Sequence, residues 1–148
     1  MERDGLGSAF LRVELLRRKL LRPHFIELGL TVGQGQPRIL RMLRLKGAMS
    51  QRELADLCVL DVTTMSRTLD KLEKMGLVKR TDNPGCRRSW VISLTPEGEE
   101  KADKVIALFK MADEIFSDGM TDEEIKKLYD MLAVIEENVE RNMSDYRE

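Results

Sequence analysis

Residues 50–95 read SQRELADLCVLDVTTMSRTLDKLEKMGLVKRTDNPGCRRSWVISLT, and this stretch decides the fold. Ser50 followed three positions later by Glu53 is a capping box, in which each side chain can satisfy a backbone amide at the opening of a helix. Asp61 can cap a second helix. Between them Cys58, Val59 and Leu60 leave room only for a tight connection, as in two short helices that meet steeply in a DNA-binding helix-turn-helix. The ribbon follows at once. Leu77 to Arg80 and Ser89 to Leu94 are strand-like segments separated by the turn Asn83-Pro84-Gly85. Two capped helices, a two-stranded ribbon and an arginine-tipped turn outline a winged helix-turn-helix.

The second of these helices, residues 62–75, divides by chemistry when placed at helical spacing. Val62, Met65, Leu69 and Leu72 form one stripe for burial, and Thr63, Thr64, Arg67, Lys71 and Lys74 stand opposite. Short hydroxyls near a helix start suit base edges, and long cations further along suit phosphates. Arg67 is the best single candidate for direct readout, because a guanidinium can pair with both major-groove acceptors of guanine. A polar helix face taken alone is more often simply solvated. The capped helix before it and the ribbon after it favour contact with DNA. Arg87 and Arg88, at the hairpin tip, suit the narrow, electronegative minor groove, although paired arginines also serve to keep an edge strand soluble.

The strings DVTTMSRTLDKLEKMGLVKR and RRSWVISLTPEG, in this order, resemble the multiple-antibiotic-resistance regulator (MarR) family of transcription factors, and the resemblance covers nearly the whole chain. It implies a mainly α fold with a small β-wing, in which residues 36–95 form the winged lobe and residues 1–30 and 96–148 supply dimerisation helices within one domain spanning 1–148. It further implies a homodimer on a pseudo-palindromic double-stranded operator, with recognition helices in successive major grooves and wings in flanking minor grooves. By position, Thr63, Thr64, Ser66 and Arg67 correspond to the family's base-reading segment and Arg88 to its wing arginine. With the residues already named, the DNA-contacting set is Ser50, Gln51, Thr63, Thr64, Ser66, Arg67, Lys71, Lys74, Arg87 and Arg88.

Three features depart from the family pattern. Cys86 stands where relatives commonly carry an aspartate that holds the wing arginine. Val59 occupies a turn that often uses glycine, so the turn either avoids positive φ or accepts strain. The lead-in from Val32 to Pro37 is slightly longer than usual, with Pro37 suited to a first helical turn.

The 148 residues carry 25 basic and 26 acidic side chains, a formal charge of −1 that does not favour a nucleic-acid partner. Its distribution does. Arg12, Arg17, Arg18, Lys19, Arg22, Arg38, Arg41, Arg44 and Lys46 dominate the first third, while acidic groups such as Glu97, Glu99, Glu100, Asp122, Glu123 and Glu124 prevail after Thr95. A basic face with an acidic back can dock on DNA in one orientation, since the local field attracts phosphate.

Apolar stripes run along the terminal segments. Phe10, Val13, Leu16, Leu20, Leu21, Phe25 and Leu28 cover much of the first helix; Ala102, Val105, Phe109, Ala112 and Phe116 mark a helix opened by Thr95-Pro96-Glu97. Thr121 and Glu124 form another capping box, followed by Ile125, Leu128, Leu132, Ile135 and Val139 at steps of three and four. Such stripes are ordinarily core. Here the small lobe cannot cover three long helices, so a second subunit is the expected cover.

No apolar run is long enough to span a membrane and the opening Met1-Glu2-Arg3-Asp4 is not a secretory signal, so a cytoplasmic location is expected. With only Cys58 and Cys86, no CxxC pair and His24 as the sole histidine, neither a metal site nor a cofactor is expected. Motifs of hydrolases, metalloproteases and nucleotide-binding loops are missing, which disfavours an enzyme. The functional expectation is a ligand-responsive transcriptional regulator, with repression as the family default. The effector is unidentified; Arg17, Arg18, His24 and Arg38 lie in or near segments bordering the family's pocket, where they could meet a carboxylated ligand. Two alternatives stay open: a helical adaptor that uses the winged lobe to hold another protein, and redox control through Cys86, whose thiolate neighbouring arginines would stabilise.

Overall fold

Both helices of the helix-turn-helix start where their caps predict. Ser50 Oγ accepts the Glu53 amide at 3.1 Å to open α3 (Gln51–Cys58), and Asp61 Oδ1 accepts the Thr64 amide at 2.8 Å to open α4 (Val62–Lys74). Each bond satisfies an amide that has no partner within its helix. The turn between them does not avoid strain. Val59 sits at φ 54°, ψ 49°, left-handed and 83 % exposed, and the following Leu60 amide closes the cap on the Ala55 carbonyl at 3.0 Å. A β-branched residue is disfavoured there. The turn keeps it because the cap bonds on either side demand that backbone.

The computed structural model describes residues 5–144, so the polar opening at residues 1–4 lies outside the described part. Within it the order is α1 (Leu6–Glu27), α2 (Gln36–Lys46), β1 (Met49–Ser50), α3, α4, β2 (Val78–Asp82), β3 (Trp90–Leu94), α5 (Pro96–Phe116) and α6 (Asp122–Ser144). Residues up to Ala112 form one compact unit and residues from Asp113 another.

In the first unit the ribbon is three-stranded, not two-stranded, in the order β1-β3-β2 and antiparallel throughout. The two residues of β1 are too few to show a strand pattern in sequence. They exist as a strand because Met49 and Ser50 pair with Ile92 and Val91 while Ser50 also opens α3. The core collects Leu21 and Phe25 from α1, Ile39, Leu40 and Leu43 from α2, Leu54 from α3, Met65, Leu69 and Leu72 from α4, Ile92 from β3, and Ala102 and Val105 from α5. Val62, expected in the buried stripe of α4, is 76 % exposed instead. It stands in the first turn, ahead of the point where α4 meets the core, and the next buried polar position is taken by Thr68 at 1 % exposure.

Several contacts join α5 to the rest of this unit. Thr95 Oγ1 caps it by accepting the Gly98 amide at 3.0 Å and donates to the Gly76 carbonyl at 2.6 Å. Gly98 then passes so close to Leu77 that a Cβ there would lie 1.9 Å from the Leu77 carbonyl oxygen. Further along, Phe109 packs edge-on against Phe25 at 5.6 Å and lies beneath the Arg41 guanidinium. Arg44 pairs with Asp103 at 2.8 Å, so part of the basic first third is neutralised within the fold.

In the second unit the Thr121 box closes on both sides. The Thr121 amide donates to Glu124 Oε2 at 2.8 Å and Glu124 returns its own amide to Thr121 Oγ1 at 3.3 Å. Helix α6 has no buried residue among those described. An apolar groove lined by Phe116, Met120, Ile125, Leu128, Tyr129 and Leu132 stays open.

Candidate nucleic-acid interface

The polar face of α4 forms one side of an open groove that gathers Thr64, Arg67, Lys71 and Lys74 with Thr68, Asp70 and Gln34. Arg67, Lys71, Lys74 and Thr63 are exposed, and Thr64 and Ser66 are half-buried. Because Met65, Leu69 and Leu72 are sealed on the opposite side, the rotation of α4 about its axis is set by the core. That seal aims the cations outward.

Not every hydroxyl is available for base edges. Thr64 Oγ1 donates to Asp61 Oδ2 at 2.6 Å, leaving only its lone pairs for an incoming donor. This bond and the Thr64 amide hold the Asp61 carboxyl below its ordinary value. Thr68 is fully committed, its hydroxyl shared between the Thr64 carbonyl and the Gln34 carbonyl at 2.8 and 2.9 Å. Lys71 Nζ donates to Gln34 Oε1 at 2.6 Å.

Ser50 and Gln51 lie outside this groove. Ser50 Oγ is occupied as a cap, and Gln51 Oε1 is buried with no partner among the described residues. Arg87 and Arg88 are exposed in the turn at 83–89, whose shape comes from the Cys86 amide on the Asn83 carbonyl and the Ser89 amide on the Cys86 carbonyl, both at 3.1 Å. Arg87 shares a small surface recess with Asp82, Asn83, Ser89 and Trp90, separate from the α4 groove. The ten residues therefore fall into three places: the α4 groove and its rim, the wing tip, and the start of α3.

Arg80 is absent from the sequence-based set, yet it fixes the wing to α4. Its side chain, 15 % exposed, donates to Asp70 Oδ1 at 2.6 Å and to the Ser66 carbonyl at 2.9 Å. The signal was its place two residues after buried Val78, on the inward side of β2. Such a half-buried, paired guanidinium ties the wing to α4.

A second feature lies between α1, α2 and α5. A cavity of about 130 Å³ is lined by Arg17, Arg18 and Arg38 together with Leu21, Phe25 and Phe109, among others. His24, expected near the same pocket, does not line it. Glu14 pairs with Arg17 at 2.7 Å and with Arg18 at 2.8 Å; the Arg17 bond is the main reason that its carboxyl is held down at about 2. Arg38 donates to the Cys58 carbonyl at 2.8 Å. Cys58 itself is buried, which raises its thiol, and Cys86 is exposed; they are not joined.

Residues 33–90 match the model of the MarR family. Over that segment the winged lobe is similar to the MarR family. The whole fold has solved counterparts. A crystal structure of MarR superposes with a TM-score of 0.79 at 24 % identity, covering 99 % of each chain. A cysteine-to-serine mutant of MarR from E. coli, complexed with operator DNA, gives 0.77 at 24 % identity over 88 % of this chain and 92 % of that one. NadR in complex with 4-hydroxyphenylacetate gives 0.75 at 23 % identity over 91 % and 94 %. The matched segment runs from Gly33, beside the cavity, through α4 and the wing to Trp90. No helix among the described residues is long and apolar enough to cross a membrane.

Proposed function

We propose that this protein is a sequence-specific, double-stranded-DNA-binding transcriptional regulator that works in the cytoplasm as a homodimer on an inverted-repeat operator. The observation that carries the reading is the α4 face: Arg67, Lys71 and Lys74 stand exposed on a helix whose opposite side is sealed at Met65, Leu69 and Leu72, inside a lobe that matches the MarR family model. The operator complex of the E. coli MarR mutant supports DNA as the partner. In this reading Arg67 reads base edges, Thr63, Thr64 and Ser66 help fix register, Lys71 and Lys74 meet phosphates, and Arg87 and Arg88 enter a flanking minor groove. Ser50 and Gln51 sit where α3 opens and contribute backbone-directed contacts.

Two-fold symmetry would place paired α4 helices roughly 34 Å apart, one turn of DNA. The exposed stripe of α6 supports the second subunit. The cavity, lined by Arg38 and by Arg17 and Arg18 paired with Glu14, together with the 4-hydroxyphenylacetate complex of NadR, supports control by a small effector. An effector that favours the DNA-incompetent form about 100-fold shifts the balance by nearly 3 kcal/mol. Repression or activation then depends on where the operator lies relative to a promoter.

Selection from a random duplex pool, repeated at two salt concentrations, tests the reading. An inverted repeat should be enriched, with affinity falling steeply as salt rises. Arg67→Ala should then weaken operator binding by about 1–3 kcal/mol and relax base preference. Equal loss on operator and random duplex would contradict the role given to Arg67, and no enrichment at all would favour a protein-binding adaptor.

A further inference from the structure

Gln34 stands out because it is the one residue from outside α4 that lines the α4 groove among the described residues. It is held there. Its carbonyl accepts the Thr68 hydroxyl at 2.9 Å, and its side-chain Oε1 accepts Lys71 Nζ at 2.6 Å. The loop that presents it is pinned on both sides. Gly33 and Gly35 bracket it at φ 89° and 81°, a Cβ on Gly35 would lie 2.8 Å from Leu60 Cδ1, and fully buried Gln36 accepts the Thr31 amide at 2.8 Å. Gln34 therefore cannot leave α4 without breaking several contacts.

We infer that Gln34 is a positioning residue for DNA binding, holding the Lys71 ammonium over the α4 groove in the pose that meets phosphate; this rests on the DNA-binding reading above. A neutral amide is the right chemistry for that task. It takes one of the three N–H donors of Lys71 and leaves the full positive charge and two donors for phosphate oxygens. A lysine side chain has among the largest rotamer entropies to lose on being fixed. Ordering it before DNA arrives removes part of that cost from the binding step. A carboxylate in the same place would order the ammonium equally well but cancel its charge.

The charge argument separates the variants. The parent, Gln34→Ala, Gln34→Glu, Lys71→Ala and the Gln34→Ala/Lys71→Ala double variant would be titrated against a short fluorescent duplex of mixed sequence over a salt series. Gln34→Ala should bind about threefold more weakly with an unchanged salt slope, because the number of cations meeting phosphate is unchanged. Lys71→Ala and Gln34→Glu should each flatten the slope by about 0.9 per subunit, about 1.8 for a dimer with both α4 helices on DNA, one phosphate contact being lost or neutralised in each. In the Lys71→Ala background, Gln34→Ala should have no further effect. Parental affinity for Gln34→Ala, a changed slope in that variant, or a loss that persists without Lys71 would overturn the inference. If the parent shows no salt-dependent binding, the DNA-binding reading falls and takes this inference with it. With parental binding intact, any failure concerns Gln34 alone.

Discussion

Helices α4 and α6 carry similar apolar stripes, at steps of three and four, yet Met65, Leu69 and Leu72 are sealed from solvent whereas Leu128 and Val139 remain 42 % and 52 % exposed. Both helices open with a side-chain cap, so neither differs from the other in its start signal. What differs is the surroundings. Around α4 the same chain supplies α2, α3 and the sheet within about sixty residues of sequence, and their side chains meet in one core. Around α6 the described part of its own unit supplies only the end of α5 and a short connection. A stripe thus states that a face needs cover; it does not state whose side chains provide it. Contiguous apolar surface of this kind marks interaction sites more often than chance exposure.

The sharpest break in this comparison comes from charging the open stripe. Leu128→Glu keeps a good helix former on a surface that is partly exposed in the single chain. Within a dimer it would bury an unpaired carboxylate, weakening association by about 3–5 kcal/mol. Sedimentation should show monomers while circular dichroism stays helical; an unmoved dimer would take α6 out of the interface.

A smaller effect is expected on the sealed side. Gly98→Ala should improve α5 by helix propensity alone, by up to about 1 kcal/mol. Packing opposes this, since the added Cβ would meet the Leu77 carbonyl oxygen at 1.9 Å. We expect a net loss of about 2–3 kcal/mol, read as a lower urea midpoint. A neutral result would mean that the Leu77 backbone can withdraw and that the junction is looser than its spacing suggests.

The strained turn between α3 and α4 offers a change of the opposite sign. Val59→Gly removes a side chain that touches little and relieves a left-handed β-branched backbone, against the extra freedom glycine brings to the unfolded chain. Stability should rise by about 1 kcal/mol, visible as a higher melting temperature. No gain would indicate that the cap bonds set this backbone without measurable strain.

The smallest response should come from Glu14 beside the cavity. Its folded carboxyl, at about 2, lies below its ordinary value of 4.5, so whatever stability the arginine pairs add is complete above the ordinary value and lost as pH falls through the folded one. Between pH 7 and 5 nothing should change. A carboxyl carbon titration with its midpoint near 4.5 would show that Arg17 and Arg18 do not hold Glu14 in solution.

Local signals made most of the winged lobe legible. Ser50, Asp61, Thr95 and Thr121 each mark a helix start because a cap acts over three residues, and neighbouring sequence contains all of it. The outward face of α4 was readable for the same reason, since helical spacing alone separates Arg67 and Lys74 from Leu69 and Leu72. Strand β1 was not readable, because its two residues become a strand only by meeting β3 some forty positions away. Val62 escaped for a related reason: its stripe position was right, but the core ends before it.

The sequence by itself determined where helices begin, which faces are apolar and which cations share one face of α4, all properties set within one or two turns of chain. Only the tertiary structure decided that Arg80 locks the wing to α4, that Gln34 holds Lys71 and that Gly98 abuts Leu77. Those contacts join residues 10 or more positions apart, and loop geometry and packing bring them together. Local periodicity carries no information about such distances.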